Sequence, residues 1–292
     1  MNSMPEVRRG KLKELLHEKE FIRVMEASNG LAGLVVEKTC VDGKEFDAMW
    51  ISSLCDSAMR GKPDNEVVDF SERIGTIEEI LDVTTKPVIF DGDTGGSAEH
   101  FVSHIKTLER MGVSAIVIED KKGLKRNSLQ ENHTDHILEE PEIFAEKIRK
   151  GKAACRTDSF MIFARIESLI AGKDIEEAIR RAQCYVQAGA DGIMIHSRRE
   201  DGEEIFTFLK LFKKSHPQIP VMVVPTTYAS VRESELAQHG ANVIVYANHF
   251  LRSAYRVMQQ TARCILEEES CETVSLRYCA PVKEILNLVE GD

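Results

Sequence analysis

The sequence predicts a (β/α)8 barrel, an α/β fold in which eight parallel strands alternate with helices and close on themselves. Eight short apolar runs rich in β-branched residues recur along the 292 residues, and charged segments with helical periodicity lie between most of them. The runs lack polar alternation, which is typical of strands that a parallel sheet buries on both faces. A doubly wound open sheet is the alternative, and it is disfavoured because no G-x-G-x-x-G follows the first run.

Each apolar run defines one predicted strand. Segments with apolar residues three or four positions apart lie before the third strand and after the third, fourth and fifth strands, and they predict helices. The predicted helices span 76–84, 98–112, 141–152 and 174–190. The predicted strands span 21–26, 46–52, 86–93, 114–120, 160–168, 191–197, 220–226 and 241–248.

The alternation continues without a linker rich in Pro, Ser or Gly. We therefore predict one domain over 1–292, with an N-terminal helix and a C-terminal helical tail. The intervals after the second and fourth strands are longer than the others, and we predict that they form lids over the catalytic face. Two amphipathic helices are predicted within 249–269 and 280–290. The second is apolar enough that we expect it to dock on the barrel or on another subunit.

Composition and charge exclude several classes of protein. Hydrophobic residues make up 42% of the chain, which is enough for a sizeable core. The formal net charge is −10, so the chain lacks the basic surface that nucleic-acid binding requires. No apolar run approaches the roughly 18–20 residues of a membrane helix, and residues 1–20 contain no stretch like a secretory signal. Seven cysteines without a C-x-x-C pair favour reduced thiols, so we expect a cytoplasmic protein.

Chemically active side chains cluster at the carboxyl ends of four neighbouring predicted strands, where a barrel places its active site. Several carboxylates with one Arg and one His form a coherent set, because hard oxygen ligands with few nitrogens and no thiolates suit Mg²⁺. The plain alternative for each acid is that it caps the next helix or pairs with a lysine. The strand-end residues are Asp91, Asp93, Glu119, Asp120, Arg165, Glu167 and His196.

The stretch 119–129, EDKKGLKRNSL, follows the fourth predicted strand. It is too charged and too interrupted by glycine to be expected in the interior, so we predict a solvent-exposed, mobile loop. A basic loop beside a metal site is what an anionic phosphorylated substrate requires. Taken in isolation, the same stretch also fits an ordinary solvated loop.

The chain resembles the phosphoenolpyruvate mutase family, within the isocitrate lyase/phosphoenolpyruvate mutase superfamily. The E-D-K-x5-N-S pattern at 119–128 carries the resemblance most directly, although phosphonopyruvate hydrolases share it. The resemblance implies a (β/α)8 enzyme that interconverts phosphoenolpyruvate and 3-phosphonopyruvate by intramolecular phosphoryl transfer, the first step of phosphonate biosynthesis. Further matching segments are WISSLCDSAMRGKPDNE (50–66), KPVIFDGDTGG (86–96), ARIESLIAG (164–172), GADGIMIHSR (189–198), MVVPTTY (222–228) and VIVYANHFLRSA (243–254).

The resemblance also implies a Mg²⁺ cofactor and a role for individual acids. Asp91 matches the acid that binds the ion, and Asp93 and Glu119 match acids that hold the ion's waters. Asp64 matches a catalytic loop acid near the metal and the substrate.

The remaining matches concern the small-molecule substrate. Ser53 stands where some members have Gly. The matching residues are Trp50, Ser53 and Leu54 at the pyruvyl end, Lys125, Asn127 and Ser128 in the closing loop, and Arg165 and His196 at the phosphoryl group.

The resemblance further implies a homo-oligomer, a dimer of dimers in which the last barrel helix is swapped between subunits. Three other activities stay open as alternatives. A phosphonopyruvate hydrolase, which gives pyruvate and phosphate, would keep the metal and the loop. A carbon–carbon lyase is disfavoured, because the superfamily's lyases place a catalytic Cys where this chain has Arg126, Asn127 and Ser128. An inactive regulatory or assembly barrel would bind metal without turnover.

Overall fold

We describe the fold from a computed structural model, in which residues 3–123, 125–128 and 136–290 are described. Within these residues eight parallel strands close into a barrel, and each lies inside one of the eight predicted runs, which confirms the predicted fold. In chain order the strands are β1 (Ile22–Glu26), β2 (Cys40–Val41), β3 (Lys44–Glu45), β4 (Ala48–Ile51), β5 (Val88–Asp91), β6 (Ala115–Glu119), β7 (Met161–Ile166), β8 (Gly192–Ile195), β9 (Val221–Val223) and β10 (Val243–Tyr246). Around the barrel the order is β1-β10-β9-β8-β7-β6-β5-β4, and β2 with β3 forms a separate hairpin that was not predicted.

Helices cover the outside of the barrel. The helix predicted from 76 begins earlier, because the Asp69 side chain accepts a hydrogen bond from the Glu72 N–H at 2.9 Å and caps the first turn. The other three predicted helices are confirmed. The helices are α1 (Pro5–Glu18), α2 (Gly30–Lys38), α3 (Ser53–Met59), α4 (Phe70–Val83), α5 (Ala98–Met111), α6 (Pro141–Ala154), α7 (Ile175–Gln187), α8 (Glu203–Ser215), α9 (Glu233–Gln238), α10 (His249–Glu268), α11 (Glu272–Arg277) and α12 (Val282–Glu290).

The chain after the last barrel strand forms three helices, α10 to α12, where two were predicted. None of the side chains of α10 is buried, so this helix does not complete the outer layer of its own barrel. α12 contacts α2, and Lys38 Nζ donates to the Leu288 carbonyl at 3.2 Å. Among the described helices, none has the length and apolar character needed to cross a membrane.

The barrel interior determines which side chains reach the catalytic end. Successive strand residues point to opposite faces, so inward positions recur every second residue. Ile89, Val117, Phe163 and Met194 are buried together inside the barrel. Two positions further along the same strands stand Asp91, Glu119, Arg165 and His196. The same periodicity that packs the interior therefore brings these four side chains to the mouth of the barrel.

A tight turn, Asp91-Gly92-Asp93, follows β5 and needs glycine at its centre. A Cβ on Gly92 would stand 2.8 Å from the Ile116 side chain and 3.0 Å from the Val117 carbonyl oxygen. Asp93 has a φ of 53°, in the left-handed region that residues with a Cβ seldom adopt. The close approach of β6 therefore excludes a side chain at residue 92.

We predict that Gly92→Ala lowers the free energy of unfolding by about 1–3 kcal/mol, because overpacking displaces Ile116 or the β6 backbone. Gly75→Ala is the matched control, since Gly75 lies in α4 with open space around its missing Cβ. That control should gain about 0.5–1 kcal/mol. Urea unfolding of both variants measures the difference, and equal stability of the two would contradict the packing argument.

Candidate active site

The pocket at the carboxyl ends of the strands gathers most of the predicted site. Two predicted residues, Asp93 and Glu119, are not part of its lining but lie directly behind it. Asp93 forms an ion pair with Lys125, and a Glu119 oxygen lies 3.1 Å from Arg165 Nη2. The ten predicted residues that line the pocket are Trp50, Ser53, Leu54, Asp64, Asp91, Lys125, Asn127, Ser128, Arg165 and His196.

Asp91 is the last residue of β5 and is buried at the pocket. Its Oδ2 accepts hydrogen bonds from the Ser53 N–H at 3.3 Å and from the Ser53 hydroxyl at 2.9 Å. Burial alone would raise the pKa of Asp91, but the cations Lys125, Arg165 and Arg73 hold that pKa below its ordinary value. Asp91 is therefore ionised at neutral pH.

Glu119 ends β6 and pairs in register with Arg165 of β7. Within the described residues, neither Glu119 oxygen accepts a hydrogen bond, although Lys121 Nζ lies 3.6 Å from Oε1. Burial raises the pKa of Glu119 to about 7, against the pull of Arg165 and Lys121 in the other direction. A buried carboxyl group without hydrogen-bond donors is suited to accept them from the waters of a metal ion.

The charge balance of the pocket fits a divalent cation. Its donors are carboxylate oxygens, which Mg²⁺ prefers, and the acids outnumber the cations by two. Across the described ranges no three His, Cys, Asp or Glu residues are spaced to ligate one ion directly. One direct carboxylate ligand, with other acids bound to the ion's waters, is compatible with that spacing. The acids are Asp64, Asp91, Asp93, Glu119 and Glu167, and the cations are Lys121, Lys125 and Arg165.

The prediction that the 119–129 loop is solvent-exposed is wrong for its central residues. Lys121, Lys125 and Ser128 are buried. Lys125 Nζ pairs with Asp64 Oδ1 at 2.8 Å and also contacts Asp93 and Ser53. An ammonium group can be buried when carboxylates surround it. Burial alone would lower the pKa of Lys125, but Asp93 and Asp91 raise that pKa above its ordinary value. Residues 124 and 129 of the loop lie outside the described residues.

Asp64 connects the two long loops at the pocket. One of its oxygens accepts the Lys125 ammonium, and the other accepts a hydrogen bond from Asn127 Nδ2 at 2.7 Å. The segment between α3 and α4 is thereby joined to the segment after β6. Lys125 and Asn127 are held over the pocket acids by a single carboxylate.

Glu167 organises the other side of the pocket. It is fully buried and accepts hydrogen bonds from Ser128 Oγ at 2.6 Å and from Arg165 Nε at 2.5 Å. His196 Nδ1 lies 2.8 Å from Glu167 Oε1. Burial would raise the pKa of Glu167, but Arg165, Lys121 and His196 lower it well below its ordinary value. Glu167 therefore fixes the orientation of Arg165 and His196 as an ionised acceptor.

The structure assigns one strand-end residue, Asp120, differently from the sequence prediction. Asp120 points away from the pocket, towards Arg181 at 2.9 Å and the Tyr185 hydroxyl at 2.7 Å on α7. It follows Glu119 directly, and consecutive strand residues face opposite ways. Lys121, the third residue of the E-D-K pattern, donates to Ser128 Oγ and to the Arg126 carbonyl, both at 2.8 Å.

Sequence reasoning missed five polar residues of the pocket wall, and two of them, Thr226 and Asn248, hold atoms that are unpartnered among the described residues; the other three are Ser52, Ser197 and Thr227. Thr226 and Asn248 follow barrel strands, β9 and β10, and both line the pocket. Thr226 Oγ1, Asn248 Oδ1 and His196 Nε2 have no hydrogen-bond partner within the described part of the chain. Their strand-end position was the signal that could have found them.

Comparisons with known proteins agree with this geometry. A family model described as phosphoenolpyruvate phosphomutase matches residues 12–266. The phosphoenolpyruvate phosphomutase of Tetrahymena pyriformis is 35% identical over 282 residues, which cover 96% of this chain and 91% of the relative.

Two solved structures are similar over nearly their whole length. The phosphoenolpyruvate phosphomutase of Streptomyces platensis subsp. rosaceus has a TM-score of 0.89 and 34% identity, over 96% of this chain and 94% of the other. A phosphonopyruvate hydrolase in complex with oxalate and Mg²⁺ has a TM-score of 0.86 and 31% identity, over 97% and 95%. The chain belongs to the phosphoenolpyruvate phosphomutase family.

Proposed function

We propose that this protein is an isomerase that interconverts phosphoenolpyruvate and 3-phosphonopyruvate. In the forward direction the P–O bond to the enol oxygen breaks, and its electron pair stays on that oxygen. The methylene carbon of the same molecule then forms a bond to phosphorus. No proton is gained or lost overall, and no covalent nucleophile on the protein is required.

The observation that carries the proposal is the arrangement of one pocket. Carboxylates lie on one side of it, and donors suited to a phosphoryl group lie on the other side. Asp91, Asp93 and Glu119 lie on its β5–β6 side. Arg165 on β7 and His196 after β8 stand next to them, and Lys125 and Asn127 close the pocket from the loop.

Each side of the pocket has its own task in the proposed reaction. Mg²⁺, held by Asp91 and through its waters by Asp93 and Glu119, would supply charge stabilisation to the carboxylate and enolate oxygens of the pyruvyl group. Trp50, Ser53 and Leu54 would surround that group. Negative charge develops on the three equatorial phosphoryl oxygens, and the donors of the opposite side would hold it. These donors are Arg165, His196, Lys125, Asn127 and Ser128.

Exclusion of water favours transfer to carbon over hydrolysis. Lys125 is 3% exposed and Ser128 6% exposed, so the loop covers the phosphoryl side. A water molecule at the transferring group would trap it as phosphate. A loop that covers the phosphoryl side therefore supports a mutase.

We propose that the protein is a homo-oligomer in which α10 packs on a partner subunit. The outward face of β1 and β10 borders open grooves lined by Phe21, Met25, Ile244 and Tyr246, where an eighth helix would lie in a closed barrel. α10 instead exposes an apolar stripe with Tyr255, Met258 and Ile265. A swapped helix would cover both surfaces in one contact.

We further propose that the protein works in the cytoplasm on this small-molecule substrate alone. All seven cysteines are free thiols, and the acidic net charge opposes nucleic-acid binding.

The first prediction concerns the reaction and its metal. Phosphonopyruvate supplied with Mg²⁺ should give phosphoenolpyruvate and little free phosphate, measured by phosphorus NMR. EDTA should abolish turnover, and added Mg²⁺ should restore it. Asp91→Ala should lose most activity and bind Mg²⁺ more weakly, because the carboxylate contacts the ion.

Three outcomes would contradict this prediction. Stoichiometric pyruvate and phosphate would assign the protein as a hydrolase. Absence of turnover with either substrate would indicate a binding barrel, and full activity without metal would refute the roles of Asp91, Asp93 and Glu119.

A second prediction isolates Asn127. Asn127→Ala should reduce turnover by about 10²–10³, because one donor to the developing phosphoryl charge is lost. Binding of oxalate, a pyruvate-like inhibitor that would chelate the metal, should change little. Lys122→Ala is the control, since Lys122 is exposed and lies 3.6 Å from Glu139. Near-normal turnover of Asn127→Ala, or an equal loss of oxalate affinity, would disprove the role.

A third prediction tests the assembly by sedimentation. The wild-type protein should sediment as an oligomer at micromolar concentration. Met258→Arg with Ile265→Arg should dissociate it, because both side chains lie on the apolar stripe of α10. Gln260→Arg is the matched control on the opposite face and should leave the oligomer intact. A monomeric wild-type protein, or an unchanged oligomer in the double variant, would count against the proposal.

A further inference from the structure

A buried ion pair lies behind the pocket and has no part in the reaction described above. Arg73 lies on α4 and Asp56 on α3, both are 2% exposed, and Arg73 Nε donates to Asp56 Oδ2 at 2.8 Å. Neither side chain is among the residues that line the described pocket. Buried ion pairs are often no more stabilising than apolar side chains of similar size, so stability alone does not account for this one.

The rest of the Arg73 guanidinium is directed at the turn that carries two of the proposed metal acids. Nη1 donates to the Asp91 carbonyl at 2.6 Å and to Asp93 Oδ2 at 3.3 Å. Nη2 donates to the Ile51 carbonyl at 3.2 Å. One planar group thus connects the ends of β4 and β5 to the Asp93 carboxylate.

The turn needs such support because of its backbone. Asp93 has its left-handed φ directly after Gly92, and neither feature favours one direction for the Asp93 side chain. Arg73 binds the chain on both sides of Gly92. The guanidinium carbon lies 4.1 Å from the centroid of the Phe90 ring, and this stacking fixes its plane.

We propose that Arg73 is a positioning residue for the metal-binding acids, anchored by Asp56. Its guanidinium group holds the 91–93 turn so that the Asp91 and Asp93 carboxylates face the proposed ion site without rearrangement of the backbone. The inference rests on the proposed Mg²⁺-dependent function. Asp56 shares the balance of the guanidinium charge with Asp93, so that Arg73 does not depend on the metal-binding acids alone.

The chemistry of the guanidinium separates this role from simple packing. Three nitrogens at fixed angles reach Asp56, two carbonyls and Asp93 simultaneously, whereas a lysine ammonium is a single point charge and cannot bridge them. A side chain that only filled space could be replaced by an apolar one with no effect on the metal. Partners that orient metal ligands typically change metal affinity by about 10–100-fold when removed.

The test uses the full-length protein and Mn²⁺ alone as the probe, with free Mn²⁺ counted by electron paramagnetic resonance. The main variant is Arg73→Met with Asp56→Leu, which removes both charges and leaves neither partner unpaired. Asp56→Asn keeps an acceptor for Arg73. The matched control is Arg8→Met, because Arg8 is equally buried and donates to the Leu81 and Thr84 carbonyls at 2.9 Å, before β5 begins.

The double variant should bind Mn²⁺ about 10–100-fold more weakly while its unfolding temperature in EDTA stays near that of the wild type. Asp56→Asn should stay within about threefold of wild-type affinity, since the contacts of the Arg73 guanidinium with the 91–93 turn remain. Arg8→Met should unfold at a lower temperature and bind Mn²⁺ normally. If the double variant does not fold, Arg73→Lys replaces it and should lose at least about tenfold in affinity.

Three outcomes overturn the proposal, and a fourth bears only on the proposed reaction. If the double variant, or Arg73→Lys in its place, binds Mn²⁺ with wild-type affinity, Arg73 serves only the packing of the core. An equal loss of affinity in Arg8→Met attributes the effect to general destabilisation. If the wild-type protein turns over phosphonopyruvate without binding Mn²⁺ or Mg²⁺, the metal-binding role is refuted and the proposed isomerase activity still stands. Failure of turnover together with normal metal effects removes only the proposed reaction.

Discussion

The structure depends on one constraint, which is that several charges at the mouth of the barrel are buried and each of these needs a partner of opposite charge. A buried ion without a partner is too costly to keep, so each ammonium and guanidinium group here faces carboxylates. Lys125 is surrounded by Asp64 and Asp93, and Arg165 lies between Glu119 and Glu167. The acids remain in excess by two. A divalent cation would complete the balance, and the raised pKa of Glu119, about 7, marks the acid that burial leaves least satisfied.

This constraint explains how a highly charged loop can cover the pocket with buried side chains. Lys121 and Lys125 of the 119–129 segment are not solvated, because the barrel supplies carboxylates at the positions they reach. Asp64 and Glu167 fasten the segment at two separate points, through Lys125 and Asn127 on one side and through Ser128 on the other. Loop closure and the charge state of the acids are therefore linked: the side chains that cover the substrate are also counterions of the site.

The sequence predicted the parts of the molecule that local periodicity determines. The positions of the eight strands follow from the apolar runs. The inward positions at the strand ends follow from the two-residue repeat of a strand, and they are Asp91, Glu119, Arg165 and His196. What it could not predict depends on partners distant in sequence. The burial of Lys125 needs Asp64, 61 residues away, and Arg73 became part of the site only when α4 met the turn after β5. The early start of α4 and the outward Asp120 were open to local analysis, through a capping aspartate and strand alternation, and the apolar-run argument overlooked them.

The side chains that the pocket lacks are as informative as those it has, within the residues that the structure describes. Cys55, the cysteine nearest the substrate segment, is buried, and burial together with Glu26 raises its pKa, so it is a poor nucleophile. Ser128 lies in the loop that covers the pocket, and its hydroxyl donates to Glu167 while it accepts from Lys121 and Arg165. A hydroxyl with all its positions occupied is not free to attack a substrate. The pocket is thus built to hold and orient charged oxygens, and a transfer between two atoms of one substrate is the reaction that needs nothing more.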